Sequence, residues 1–234
     1  MAEKLWEERK YDASIREFKK IVSDNPNSLL GEQALYRIGV TQYLYTNEFI
    51  PAINSFRSFI QITKDEDLKY QAQKNIADIY FTKLEVYQKA IEEYSDIIKR
   101  YPTKTEKDIF QFKIAKSYFY RLDYKKSLEH YNKLIETYPA SSLVSESEYQ
   151  IASIYFTLGQ YEDAIENYLK VINKYPNSMQ EVLSKFGLAN SLAEMNDLDG
   201  ALKVYKEIIN RYPSKNVILM KIKKLRARRT LKGM

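Results

Sequence analysis

Cysteine is absent from the 234 residues, so disulfides, thiolate metal sites and cysteine nucleophiles are all excluded. A single histidine, His130, rules out a HExxH zinc site and any ligand set that needs a second imidazole. Glycine and proline number six each, too few for a chain rich in turns or long loops. No apolar run approaches the ~18 residues of a membrane-spanning helix. Phosphate-cradling glycine loops, the GxSxG nucleophile turn and metal-binding spacings are missing as well. Asp and Glu are plentiful but follow no acid–base pattern, and they read as solvated surface. These gaps leave no candidate active site and no cofactor.

What the chain does hold is aromatic. It has 21 Tyr and 10 Phe, within 44% apolar and 29% charged residues, the balance of a folded, helix-rich protein. The net charge of +6 is concentrated at one end. Residues 214–234 carry eight cations and no acid, so positions 1–213 hold 29 basic against 31 acidic residues.

A repeat organises nearly everything. Tyr101-Pro102, Tyr138-Pro139, Tyr175-Pro176 and Tyr212-Pro213 recur every 37 residues, and Asn25-Pro26 lies two further units upstream. Before each point stands an aromatic or Leu, a small residue three later and an aromatic four beyond. The series is Tyr11/Ser14/Phe18, Phe49/Ala52/Phe56, Tyr87/Ala90/Tyr94, Tyr124/Ser127/Tyr131, Tyr161/Ala164/Tyr168 and Leu198/Ala201/Tyr205. Spacings of three and four share one helix face, and the small residue marks where a neighbouring helix comes close. An earlier apolar stripe in each unit, Ile151/Ala152/Tyr155/Leu158 in the fifth, predicts a first helix. Gly159, Asn47, Leu122 and Asn196 fall in the turns between the two helices. Thr103/Glu106 and Ser178/Glu181 have capping-box spacing and predict helix starts. Pro51 falls in the first turn of its helix, where its missing N–H costs little.

The pattern resembles the tetratricopeptide repeat family, on residues such as Ala152, Tyr155, Gly159, Tyr161, Ala164, Tyr168 and Pro176. It departs from the family in its period, 37 against about 34, and in lacking the usual Trp and Leu-Gly pair of the first helix. The resemblance implies an all-α, right-handed superhelical solenoid of about thirteen helices. Its units run over about 1–27, 28–64, 65–102, 103–139, 140–176 and 177–213, and 214–234 forms a basic capping helix and tail. The first unit offers only a short first helix, Ala2 to Arg9, which reads as an excised array or as a shortened cap. On the tail, Val217, Ile218, Ile222 and Leu225 supply an apolar stripe. The long unit with its Tyr-Pro ending is similar to bacterial envelope members of the family, of the Tol–Pal coordinator and outer-membrane barrel-assembly lipoprotein types. That likeness implies a scaffold for partner proteins at the periplasm or the periplasmic face of the outer membrane; the alternative is a cytoplasmic adaptor that docks a signalling or motility protein.

In the family the first helices line the concave face. Matched positions give one row, Phe112, Tyr149 and Phe186, and a second, Leu44, Phe81, Phe119 and Phe156. Arg37, Thr41, Lys74, Asp78, Lys116, Ser153 and Asn190 lie between them. Two readings stand for these rows: a groove for a peptide or partner helix, or packing between first helices. The Lys and Asn pairs with which some members hold a terminal carboxylate are not reproduced, and Asp78 would repel one. The basic tail reads first as a cap, then as a contact for an acidic protein or anionic membrane. Nucleic acid ranks last, because the tail has no aromatic on which a base could stack.

Overall fold

A computed structural model of the chain describes residues 1–26 and 28–232, with side chains as far as Thr230. Thirteen helices and no strand are found among the described residues. They form two compact units, Met1–Leu122 and Asp123–Met234. The first holds α1 (Ala2–Glu7), α2 (Tyr11–Asp24), α3 (Leu29–Leu44), α4 (Phe49–Ile62), α5 (Glu66–Thr82), α6 (Tyr87–Arg100) and α7 (Lys107–Tyr120). The second holds α8 (Tyr124–Thr137), α9 (Val144–Thr157), α10 (Tyr161–Lys174), α11 (Met179–Glu194), α12 (Leu198–Ile208) and α13 (Lys215–Lys232). Within each unit every helix packs on the next in sequence, and α9 also touches α11. The all-α expectation holds.

Turn chemistry explains the hairpins. Gly159 (φ 74°), Asn47 (57°), Leu122 (61°) and Asn196 (69°) all occupy the left-handed region, as do Arg9 and Glu85. After α9 the Gln160 N–H reaches back to the Tyr155 carbonyl at 3.0 Å, and after α11 Asp197 reaches Leu192 at 2.8 Å. These six-to-one bonds satisfy carbonyls that the helix end would otherwise strand. At the opposite hairpin ends the residue before each proline, Asn25, Tyr101, Tyr138 and Tyr175, has ψ of 54–64°. The proline ring crowds that residue out of helical ψ, and the helix stops. Pro51 sits as the third residue of α4, where no intrahelical donor is required.

Close approach sets the core. Ser14, Ala52, Ala90, Ser127, Ala164 and Ala201 are all fully buried, and the aromatics four residues on, Phe18, Phe56, Tyr94, Tyr131, Tyr168 and Tyr205, are buried with them. Glycine extends this rule to the first helices. A Cβ on Gly187 would stand 2.2 Å from the Tyr168 ring, and one on Gly39 would stand 2.9 Å from Phe56.

One of the two capping boxes forms, shifted so that its carboxylate meets the residue before the cap. Ser178 Oγ accepts from the Glu181 N–H at 3.0 Å, and Glu181 accepts from the Asn177 N–H at 2.7 Å. The Thr103/Glu106 box does not form: α7 begins at Lys107, with Glu106 as an N-cap that makes no side-chain cap. Its carboxylate is instead taken by the Tyr70 hydroxyl and Lys74 of α5, which offer charge-assisted partners across the hairpin stack.

Candidate functional site

In the second unit, α9 carries Tyr149, Ser153 and Phe156 and α11 carries Phe186 and Asn190, at spacings of three and four that put each set on one face of its helix. Tyr149 is half-buried and its ring lies 6.2 Å from that of Tyr168. Phe156 is half-buried against Tyr161, with ring centroids 5.6 Å apart. Phe186 stacks on Tyr212 at 4.7 Å, meets Tyr205 edge-on, and carries the Lys221 ammonium 5.8 Å above its ring. Such rings pack on one side and leave the other partly open, a mixed role that neither of the two sequence readings described alone.

In the first unit Phe81 is half-buried between Tyr87, Tyr94 and Tyr120, at 6.1–6.4 Å. Phe119 is also half-buried, edge-on to Tyr120, and Lys116 lies 5.9 Å from the same Tyr120 ring. Phe112 differs. With 8% exposure it is buried, so the expected open row of Phe112, Tyr149 and Phe186 is closed at its first member. Leu44 is the reverse, 57% exposed at the end of α3.

The polar positions between these rings are occupied from within. Arg37 forms a bidentate pair with Glu3 at 3.0 and 3.1 Å and lies 4.6 Å over Trp6. Thr41 accepts from the Trp6 indole at 3.1 Å. Lys74 pairs with Glu106, and Asp78 accepts from both Lys113 and the Tyr94 hydroxyl. Ser153 accepts from Tyr168 at 3.3 Å. Asn190 accepts from Tyr205 at 2.7 Å and from Lys221 at 2.8 Å. Burial pushes the phenols of Tyr94, Tyr168 and Tyr205 above the ordinary tyrosine value, which keeps each a donor.

This tyrosine ladder escapes a reading of the sequence by rows. Its signal was available in the spacing: the second-helix tyrosine lies 15 or 16 residues after a polar first-helix residue in three units. A hydroxyl on a core aromatic needs a partner, and the facing helix supplies it.

The basic tail forms α13, which lies on α11 and α12. Ile218, Ile222 and Leu225 are buried in one cluster with Val182, Ala189 and Leu202. Val217, expected in that stripe, is 36% exposed instead, because it sits one residue round from Ile218 and so off the buried face. Arg229 pairs with Asp199 at 2.7 Å. His130 is half-buried on α8, and burial together with Lys133 lowers its pKa. No group of three or more His, Asp or Glu residues able to hold a metal occurs among the described residues. Among them, too, no helix is long and apolar enough to cross a membrane.

The tetratricopeptide repeat profile matches residues 110–141, 146–178 and 184–215. No curated protein sequence matches the chain. Among solved structures, the apo form of RapI superimposes with a TM-score of 0.71 and 18% identity over 91% of this chain; the chain spans 63% of the length of that structure. YrrB, described as a tetratricopeptide repeat protein with an unusual peptide-binding site, gives 0.57 and 14% identity, covering 88% of this chain and 97% of YrrB. PilW, described as a widely conserved type IV pilus biogenesis factor, gives 0.58 and 14% identity, covering 93% and 94%. With the helical hairpins, the left-handed turn residues and the buried small positions, these matches identify three tetratricopeptide repeats between residues 110 and 215, in a chain with the tetratricopeptide-repeat fold.

Proposed function

We propose that the chain is a binding scaffold for partner proteins or peptides, and that the first helices receive the partner. The observation that carries this reading is the set of half-buried aromatics on those helices: Phe81, Phe119, Tyr149, Phe156 and Phe186. Each is fixed by packing on one side, so an incoming apolar group meets a preorganised ring at little entropic cost. The cations beside them, Lys116 and Lys221, favour a partner with carboxylates or aromatic rings of its own. The YrrB description as a peptide-binding protein of the same fold supports the reading by analogy. The reading extends to the bacterial envelope, at the periplasmic face of the outer membrane, through the long Tyr-Pro unit and the shared fold of a pilus biogenesis factor.

The test compares Tyr149→Ala and Phe112→Ala with wild type, in partner capture from envelope and cytoplasmic fractions and in thermal stability. Capture of an envelope partner that Tyr149→Ala weakens by roughly 2 kcal/mol or more, with a small stability loss, is the expected result. Unaltered capture by folded Tyr149→Ala would remove the first helices from the interface. A partner found only in the cytoplasmic fraction would overturn the envelope assignment and leave the scaffold standing.

A further inference from the structure

The first unit contains an open cavity of about 840 Å³, formed by α1, α3 and the start of α5 over a floor of Phe18, Ala34 and Phe59. Its wall is apolar and uncovered: Leu29 is 69% exposed, Leu30 54% and Leu68 36%. Three large apolar side chains left open around one concavity are more than the scattered singles of an ordinary surface. Its charged side chains are mainly acidic. Glu32 and Asp65 line it, and neither is ion-paired among the described residues; Glu32 accepts from the Thr63 hydroxyl and Asp65 caps α5. The one cationic side chain in the wall, Arg37, is already neutralised by Glu3.

The opposite end of the same chain carries the complementary surface. α13 buries Ile218, Ile222 and Leu225 in its own unit. On its outer side Met220 is 71% exposed, with Leu219 and Val217 beside it at 45% and 36%. Val217, Met220 and Lys224 are spaced three and four apart and share one face. Lys223, Lys224 and Arg226 are exposed around them, on a helix without a single acidic residue. α13 therefore has a second amphipathic face, apolar at its N-terminal half and cationic beyond.

We propose that this face of α13 docks in the α1–α3–α5 cavity of a second copy of the chain, in a head-to-tail interface. Met220 enters the leucine-lined cavity as the anchor, since an unbranched thioether adapts to an irregular wall. Lys223, Lys224 and Arg226 then face the carboxylates of Glu32 and Asp65. A helix laid in an apolar groove is a recurrent mode of recognition, and apolar area with opposite charge at its rim gives both affinity and register. The two surfaces are different, so the contact is heterologous: a bound pair still presents one free surface of each kind.

Sedimentation velocity on the full chain tests this. The weight-average sedimentation coefficient should rise with protein concentration at low salt, and the rise should shrink as sodium chloride screens the charges. Leu30→Lys and Met220→Glu, both at exposed sites that circular dichroism should show still folded, should each weaken association about tenfold or more. Mixed in equal amounts, the two variants should form a dimer, because each keeps the surface that the other has lost. A chain that stays monomeric at every concentration overturns the proposal. So does a variant that associates like wild type, or a mixture that stays monomeric.

Discussion

Tyr205 on α12 donates its hydroxyl to Asn190 Oδ1 on α11 at 2.7 Å, and Lys221 of α13 donates to the same oxygen at 2.8 Å. One amide oxygen thus joins three consecutive helices. Tyr94 with Asp78 and Lys113 repeats the arrangement on α6, α5 and α7. The two ends of each such link differ in what their loss leaves behind. Tyr205→Phe removes one donor and leaves Asn190 bonded to Lys221, at a cost of about 1 kcal/mol. Asn190→Ala strands the Tyr205 hydroxyl, whose residue is fully buried, and should cost about 1–3 kcal/mol. Urea denaturation of the two variants should place Asn190→Ala below Tyr205→Phe.

Acid should loosen the start of α11. The Arg211 guanidinium, with help from Lys185, holds the Glu181 carboxyl at about 2 against an ordinary 4.5. Folded Glu181 stays ionised where the unfolded chain would bind a proton, so its stabilising contribution is complete above pH 4.5. It is lost as pH falls from there through about 2. Glu181→Gln should be about 1–3 kcal/mol less stable than wild type near neutral pH, and the gap should close toward pH 2. A gap that does not change with pH would place the effect in packing instead.

Small residues should be intolerant in a specific order. Ala164→Leu adds three heavy atoms at a fully buried position and should cost about 1–3 kcal/mol. Gly187→Ala offers the sharper sign test. In an open helix the change would stabilise by roughly 0.5–1 kcal/mol. Here the new Cβ meets the Tyr168 ring at 2.2 Å, so the variant should melt below wild type. Gly159→Ala has free space around it and pays only for its φ of 74°, roughly 1–2 kcal/mol.

Deleting residues 214–234 should uncover the face of α11 and α12 on which Ile218, Ile222 and Leu225 are packed. Each of those side chains contributes roughly 1.5–3 kcal/mol by burial. Amide exchange should therefore quicken across residues 180–212. Exchange that remains at the wild-type rate there would show that α13 does not cap the unit.

The hairpins were legible in the sequence because local chemistry specifies them. Proline disfavours helical ψ in the residue before it, the Tyr-Pro period sets the unit, and Gly159, Asn47, Leu122 and Asn196 mark the left-handed turns. The buried face followed from spacing as well: Ser14, Ala52, Ala90, Ser127, Ala164 and Ala201 needed no coordinates to be recognised as contact points. Period and steric volume are properties of a short stretch of chain. Partnership is different. That Phe112 is closed while Tyr149 and Phe186 stay half open depends on which neighbouring helix covers each ring. Ser153 and Asn190 read as free polar rungs until the tyrosine opposite each is seen to use them. The same holds for Glu106, whose spacing matched a helix cap but whose carboxylate meets Tyr70 and Lys74 across the stack. A side chain with several partners in reach takes the one that desolvation and charge favour most, and only the packed tertiary structure brings those competitors within hydrogen-bonding distance.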